Sequence, residues 1–263
     1  MSRPLYFLYG LAAHLAFLFT FVYMAGFVGN LWVPKSIDAP GAGFSLVALI
    51  VDIGLVALFA IPHSVMARPA FKRWWTRFVP EPIERSTYVW ITCVTLAVLM
   101  WQWRPLGPVL WSLESDVVRT AAYALYSIGW LMVPAVSLLI NHFDLFGTRQ
   151  VWLHFRGKPY EHLPLRAPGA YRYVRHPLYV AWMIAFWVTP TMSLGHLTFA
   201  IVNTAYMLVA NRFEERDLIE LHGEAYAKYR RRVPMLVPGG VLPVVEPNDP
   251  AGVCQRAQGG VAS

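Results

Sequence analysis

The chain has 263 residues, 57% of them hydrophobic and only 14% charged, against roughly 25% charged in an ordinary soluble domain. Its mean hydropathy is +0.44 and its formal net charge is +7. This composition excludes a soluble globular protein and predicts a single all-α polytopic membrane domain, with no room for a second globular one.

Apolar stretches run over about 5–31, 44–66, 87–103, 119–140, 177–189 and 195–211. Most are long enough to cross a hydrocarbon core of about 30 Å. The first carries His14. It is too long and too evenly apolar for a cleaved signal, and Gly26-Phe27-Val28 is a poor cleavage site, so it reads as a retained span. The second carries Asp52 and ends Ile61-Pro62-His63-Ser64. Phe71, Trp74, Trp75 and Phe78 then recur at i, i+3, i+4, i+7 among Lys72, Arg73 and Arg77, which predicts an interfacial helix over 68–79. Trp101, Trp103 and Trp111 mark the outer interface, and Pro134 interrupts the fourth span. Segment 141–176 is the longest polar stretch, and its many aromatics argue for an ordered, functional loop. The fifth and sixth stretches read as a helical hairpin turning at 189–195. The last span is expected to continue into Arg212-Phe213-Glu214-Glu215, with Gly223 as its cap and a short cytoplasmic helix over 224–231. A membrane domain over 1–238 is thus followed by a loosely ordered tail over 239–263, rich in Pro, Gly and Ala.

Six crossings put both termini on one side. That side holds every one of the 22 Lys and Arg residues except Lys35, Arg104 and Arg119. The positive-inside rule makes that side the cytoplasm. The basic residues report topology and lipid contact. Nucleic acid is not an expected partner, and nothing calls for an obligate protein partner.

Polar side chains gather where the hairpin meets the cytoplasm. Arg175-His176-Pro177-x-Tyr179 opens it; Glu214-Glu215 and Gly223-x-x-Tyr226-x-x-Tyr229-x-x-x-Val233-Pro234 close it. Proline is a favoured first helical residue, and a helix N-terminus offers free N–H groups to an anion. No dinucleotide fingerprint, P-loop or H-E-x-x-H occurs, and neither Cys93 nor Cys254 has a neighbour at metal-ligand spacing, so no metal is expected.

This pattern resembles the isoprenylcysteine carboxyl methyltransferase superfamily, over about residues 171–238. Two further stretches, Pro62-His63-Ser64-Val65-Met66-Ala67-Arg68-Pro69 and His142-Phe143-Asp144-Leu145-Phe146-Gly147-x-Arg149-Gln150, are similar to the branch containing bacterial methanethiol S-methyltransferases. The resemblance implies an integral membrane enzyme that uses S-adenosylmethionine without a Rossmann domain. By position, Arg175, His176, Pro177, Tyr179, Arg212, Glu214, Glu215, Tyr226 and Tyr229 would line the cofactor site, with 171–238 as its core. It also implies a small thiol as acceptor: methanethiol giving dimethyl sulfide, or hydrogen sulfide giving methanethiol. The prenylcysteine enzymes have a glycine two residues after the tyrosine, where this chain has Val180-Ala181-Trp182, and Trp182 would narrow the lipid-side entry.

Methyl transfer to a thiol needs a thiolate, and a small alkanethiol ionises above the free-cysteine value of about 8.5. His142, Asp144 and His63 are the candidate bases near the cytoplasmic face, with Arg149 and Arg175 as cations that would favour a thiolate. Asp52 lies about 16 Å deeper than His63 on the same helical face and is a candidate substrate-side acid, with Arg149 and Trp182 beside the acceptor. Two other readings remain open. One is carboxyl methylation of a lipidated or amphipathic acceptor. The other is a haem-binding or structural membrane protein of nitrogen-oxide metabolism, for which His14 and His63 would have to match in depth.

Overall fold

The computed structural model describes residues 2–41, 43–161 and 168–238. The tail 239–263 and His162 lie outside them. The described residues are 73% helical. Four helices are long and apolar enough to cross a membrane: α1 (Arg3–Gly29), α2 (Leu46–Met66), α4 (Glu81–Gln102) and α5 (Asp116–Ile140). Between α2 and α4 lies the short α3 (Pro69–Trp75). After α5 come α6 (His142–Leu145), α7 (Thr148–Phe155) and a 3-10 turn at Gly169–Arg172. The chain closes with α8 (Pro177–Trp187), α9 (Leu194–His222) and α10 (Glu224–Arg232).

Local chemistry sets the boundaries. Pro4 starts α1, which stops at Asn30 in the left-handed region (φ 58°). Ser45 and Ser193 cap α2 and α9 by accepting from Ala48 N–H and His196 N–H. Glu81 and Glu84 occupy the first turn of α4, where they suit the helix dipole. Gly223 (φ 57°) ends α9 as its spacing predicted.

The hairpin has the short first arm its apolar stretch predicts, but its turn differs from a plain helical hairpin. α8 has only 11 residues, and the turn after it is extended rather than helical. Strand β2 (Thr191–Ser193) pairs antiparallel with β1 (Val109–Ser112), so the fold is not purely helical. Pro190 cannot continue a helix, and backbone N–H and C=O groups at this depth need partners. The nearby extended segment before α5 supplies them. This pairing also sets α5 antiparallel to α8, because β1 precedes α5 and β2 follows α8. Gly129 permits their close approach: a Cβ there would lie 2.8 Å from Ala185 N.

The expected interfacial helix is shorter than 68–79, and its aromatic face is divided. Phe71 and Trp75 pack inward near Met66 and Tyr88, while Trp74 and Phe78 are exposed. The i, i+4 pair is therefore core, and only the other two suit a lipid surface.

At the end of the bundle opposite the Arg175–Glu215 region, a buried polar clasp joins the loop after α1 to the start of α9. Asp38 accepts from Asn30 Nδ2 (2.8 Å), Ser193 N–H (2.7 Å) and His196 Nδ1 (2.9 Å). Burial alone would raise the Asp38 pKa, but the bonds from His196, Asn30 and Ser193 together hold it below its ordinary value. His196 Nε2 faces Phe186 O at 3.0 Å, so both ring nitrogens face acceptors and the ring is fully bonded only as imidazolium. Asp52 belongs to this end too, accepting from Arg104 N–H at 2.9 Å. His196→Ala leaves the buried Asp38 without one of its hydrogen-bond donors, and a loss of about 1–3 kcal/mol is expected. Thermal unfolding in detergent measures it; an unchanged midpoint would show that the clasp carries no stability.

Candidate active site

Pro234 ends α10 and turns the chain back along the approach to α8. Arg175 N–H donates to Pro234 O (2.9 Å) and His176 N–H to Met235 O (3.1 Å). Glu215, nearly buried on α9, points into this junction. Its Oε1 accepts from Arg175 Nε at 2.7 Å and lies 3.2 Å from His176 Nε2; its Oε2 forms an ion pair with Arg230 Nε at 3.0 Å. Arg175 also donates through Nη1 to the carbonyls of Arg230 and Val233. Tyr226 is buried beneath, and Tyr229 donates its hydroxyl to Tyr171 O at 2.6 Å. Burial raises the pKa of both phenols, that of Tyr229 to about 12, so both stay protonated donors.

Glu214 faces the other way. Its Oε2 accepts from Tyr179 OH at 2.6 Å, and the Tyr179 ring stacks on His176 with centroids 5.1 Å apart. Its side chain is 43% exposed, and its Oε1 has no hydrogen-bond partner among the described residues. Glu215 is committed on both oxygens, whereas Glu214 retains an acceptor for a ligand. Arg212 falls on the far face of α9 from Glu214. With Arg216, Ile219 and Arg230 it borders a cleft of about 250 Å³ that reaches Glu215.

The antiparallel α5–α8 pair brings the end of α5, and His142 just beyond it, alongside the start of α8. His142 is buried, with Nδ1 at 2.8 Å from Ser137 Oγ. The Ser137 hydroxyl donates to Pro134 O at 2.9 Å. Its single proton is thereby used, so Nδ1 of His142 is the donor and Nε2 keeps the lone pair, a tautomer assigned from the network. Burial lowers the His142 pKa, and neighbouring His14 lowers it further. The two rings meet edge to face at 5.1 Å.

The other predicted residues have different surroundings. Asp144 is saturated: Oδ1 accepts from Arg149 (3.0 Å) and Gln150, and Oδ2 from Tyr160 (3.2 Å). Arg149 also donates to Glu161 O. This set closes the 141–161 loop on itself. Gly147 (φ 84°) lies where a Cβ would meet Ser86 N at 2.8 Å, which holds that loop on α4. His63 is packed between Phe59 and Tyr88 and bonded to Tyr88 OH and Thr92 Oγ1. Trp182 sits one turn below Tyr179, edge to face with Trp130 (5.4 Å) and Phe21 (6.1 Å). Asp52 is not brought to this region; it lies at the other end of α2 with Arg104. His14 bonds Thr148 at 3.2 Å and does not share partners with His63. No cluster of three metal-ligating side chains occurs among the described residues.

Comparison with known proteins gives the site its context. The chain is 49% identical over 238 residues to "Methanethiol S-methyltransferase" of Crocosphaera subtropica, covering 90% of this chain and 93% of that protein. It is 50% identical over 238 residues to the protein of the same name from Mycobacterium tuberculosis, covering 90% and 98%. The chain belongs to the methanethiol S-methyltransferase family. Nurim of Bos taurus is a more distant relative of the family, 33% identical over 192 residues and covering 70% of this chain and 72% of its own. No protein-family model and no solved structure matches the chain.

Within this family member, two contributors escaped the sequence reading. Arg230, the second arginine on Glu215, follows Tyr229 directly, and its charge looked like one of many on α10. Ser137, which sets the His142 tautomer, lies five residues before it inside an apolar span. Both Glu215 and Arg175 are nearly buried. Glu215→Ala leaves Arg175 without its carboxylate, and a destabilisation of about 3–5 kcal/mol is expected. Glu214→Ala, at a half-exposed position, unfolds near the wild-type temperature. Equal midpoints for Glu215→Ala and wild type would show that Glu215 is not the junction's anchor.

Proposed function

We propose that this chain methylates methanethiol to dimethyl sulfide, with S-adenosylmethionine as methyl donor, and that it accepts hydrogen sulfide as a poorer substrate. The observation that carries this reading is near-half identity, over nine-tenths of the chain, to proteins named for that reaction. Residues 1–238 form the methyltransferase domain, and 171–238 hold the donor.

The donor set suits S-adenosylmethionine. Glu214 keeps an unpaired carboxylate oxygen for a ribose hydroxyl or an ammonium group. Tyr179 and His176 present a stacked aromatic surface beside it. Arg175, Glu215, Tyr226 and Tyr229 hold the shape of this site through the bonds described above, and Pro177 directs α8 from it. When bound, S-adenosylmethionine supplies the electrophilic methyl group.

His142 is the base. Its Nε2 lone pair takes the proton from the thiol sulfur, and the ring becomes imidazolium with Nδ1–H still held by Ser137. The resulting thiolate is the nucleophile, and the bundle's part is to align it for in-line displacement. Asp144 and His63 have less to offer, because their polar atoms are committed to neighbours. The cations Arg149 and Arg175 are likewise committed, to Asp144 and Glu215, so a base-free mechanism of electrostatic capture has little free charge to use. Trp182, with Trp130 and Phe21, closes the bundle below Tyr179. That aromatic layer favours a small acceptor over a prenyl chain.

The pH dependence discriminates. Because the His142 pKa is lowered from 6.5, the rate should rise through an inflection below that value and be level by pH 7. His142→Ala should abolish the inflection and cost about 10²–10⁴ in rate. Headspace dimethyl sulfide from detergent-solubilised protein measures it. A rate that instead tracks the thiol's own ionisation, unchanged by His142→Ala, would sink the protein-base mechanism.

The orientation follows from the distribution of basic residues. All six apolar segments cross a bacterial inner membrane, α8 and α9 among them, with both termini cytoplasmic. A reporter active only in the periplasm should be silent at either end, and activity at one end would overturn the six-crossing arrangement.

A further inference from the structure

On α9, successive residues turn by about 100°. Arg212, Arg216 and Ile219 therefore fall within about 60° of one another, and Glu214 lies roughly opposite them. The same direction, followed back along the helix, carries Ile201, Leu208 and Val209, all exposed. One face of α9 is thus an apolar stripe that becomes a pair of arginines within one turn. Neither Arg212 nor Arg216 makes an ion pair among the described residues, and both are exposed. Arg230 reaches across from α10 to the same cleft of about 250 Å³. The single carboxylate there, Glu215, has both oxygens taken by Arg175, His176 and Arg230, so the cleft keeps a positive excess.

We propose that this cleft binds the phosphate of an anionic phospholipid whose acyl chain lies on the Ile201–Leu208–Val209 stripe. The proposal rests on the reading that α9 crosses the bilayer. An apolar stripe in line with unpaired guanidinium groups matches a lipid in both chemistry and order: hydrocarbon first, phosphate next. Arginine suits the headgroup because its fork can give two parallel bonds to phosphate oxygens. The site is separate from the donor-side surface formed by Glu214, Tyr179 and His176, which faces the other side of the helix. It would secure α9 and α10, and the Glu215 junction between them, to the cytoplasmic leaflet.

The test uses the full-length protein in nanodiscs of phosphatidylcholine with or without phosphatidylglycerol, and native mass spectrometry of the lipid it retains. Wild type should retain phosphatidylglycerol in preference to phosphatidylcholine. Arg216→Gln should lower that retention roughly fivefold, the factor for one cation near an anionic lipid surface, and Arg216→Glu should abolish it. Arg216 is exposed and unpaired, so both variants should unfold at the wild-type temperature. Undiminished retention in both variants would overturn the proposal. So would release of the lipid by millimolar inorganic phosphate, which would assign the cleft to free anions. Calorimetry of S-adenosylmethionine on wild type scores the methyltransferase reading separately: absence of binding would defeat that reading and leave the lipid site standing.

Discussion

One carboxylate organises the cytoplasmic end of this molecule. Glu215 lies in the last turns of α9, yet it joins the approach to α8 through Arg175 and His176, and α10 through Arg230. A nearly buried carboxylate is costly unless its charge and lone pairs are answered, and three cationic or donor side chains answer it. The consequence is geometric. Arg175 is locked by Glu215 and by two backbone carbonyls, so Tyr179, one turn into α8, is held where it meets Glu214. Adjacent glutamates thus divide the work: Glu215 supports, and Glu214 remains able to meet a ligand.

The opposite end of the bundle is fastened by the same physics with other residues. Asp38 and His196 form a buried pair with their remaining groups bonded to Asn30, Ser193 and Phe186. The β1–β2 pairing lies at that end and determines how α5 runs against α8. Through that packing, the far end influences the site: it settles which residues of α5 reach the level of Arg175. Ser137 lies in the last turn of α5 and His142 just beyond it. A side chain positioned by helix packing moves with the helix, so the outer clasp bears on where His142 sits without touching it.

Much of this was legible in the sequence, and the pattern of success has physical reasons. The four long spans follow from apolar length alone, which burial in lipid requires. The meeting of Arg175, His176 and Tyr179 with Glu214 and Glu215 was legible because polar residues are scarce here and two groups of them flank one hairpin. The division between Glu214 and Glu215 was not, because adjacent residues on a helix point about 100° apart and only tertiary packing says which is buried. For the same reason the sequence did not show that Arg212 points away from Glu214 and shares a face with Arg216. Asp52 was read as a deep acid near the substrate; its bond to Arg104 N–H belongs to a loop whose path carried no local signal. The extended β1 and β2 segments were invisible because three or four residues carry too little periodicity.

The placement of His142 shows how a weak local signal becomes a chemical argument. Histidine beside an aspartate in a polar loop first suggests that the pair acts together. The bonds separate them: Asp144 turns to Arg149, Gln150 and Tyr160, while His142 turns inward to Ser137. Had Asp144 faced the ring, its charge would have raised the ring's proton affinity and with it the share of imidazolium, the form with no lone pair to offer. A hydroxyl partner fixes the ring without adding charge, and burial with His14 nearby keeps it neutral. For a thiol that ionises above neutrality, a neutral acceptor held in one tautomer is the arrangement that removes a proton without first losing its own.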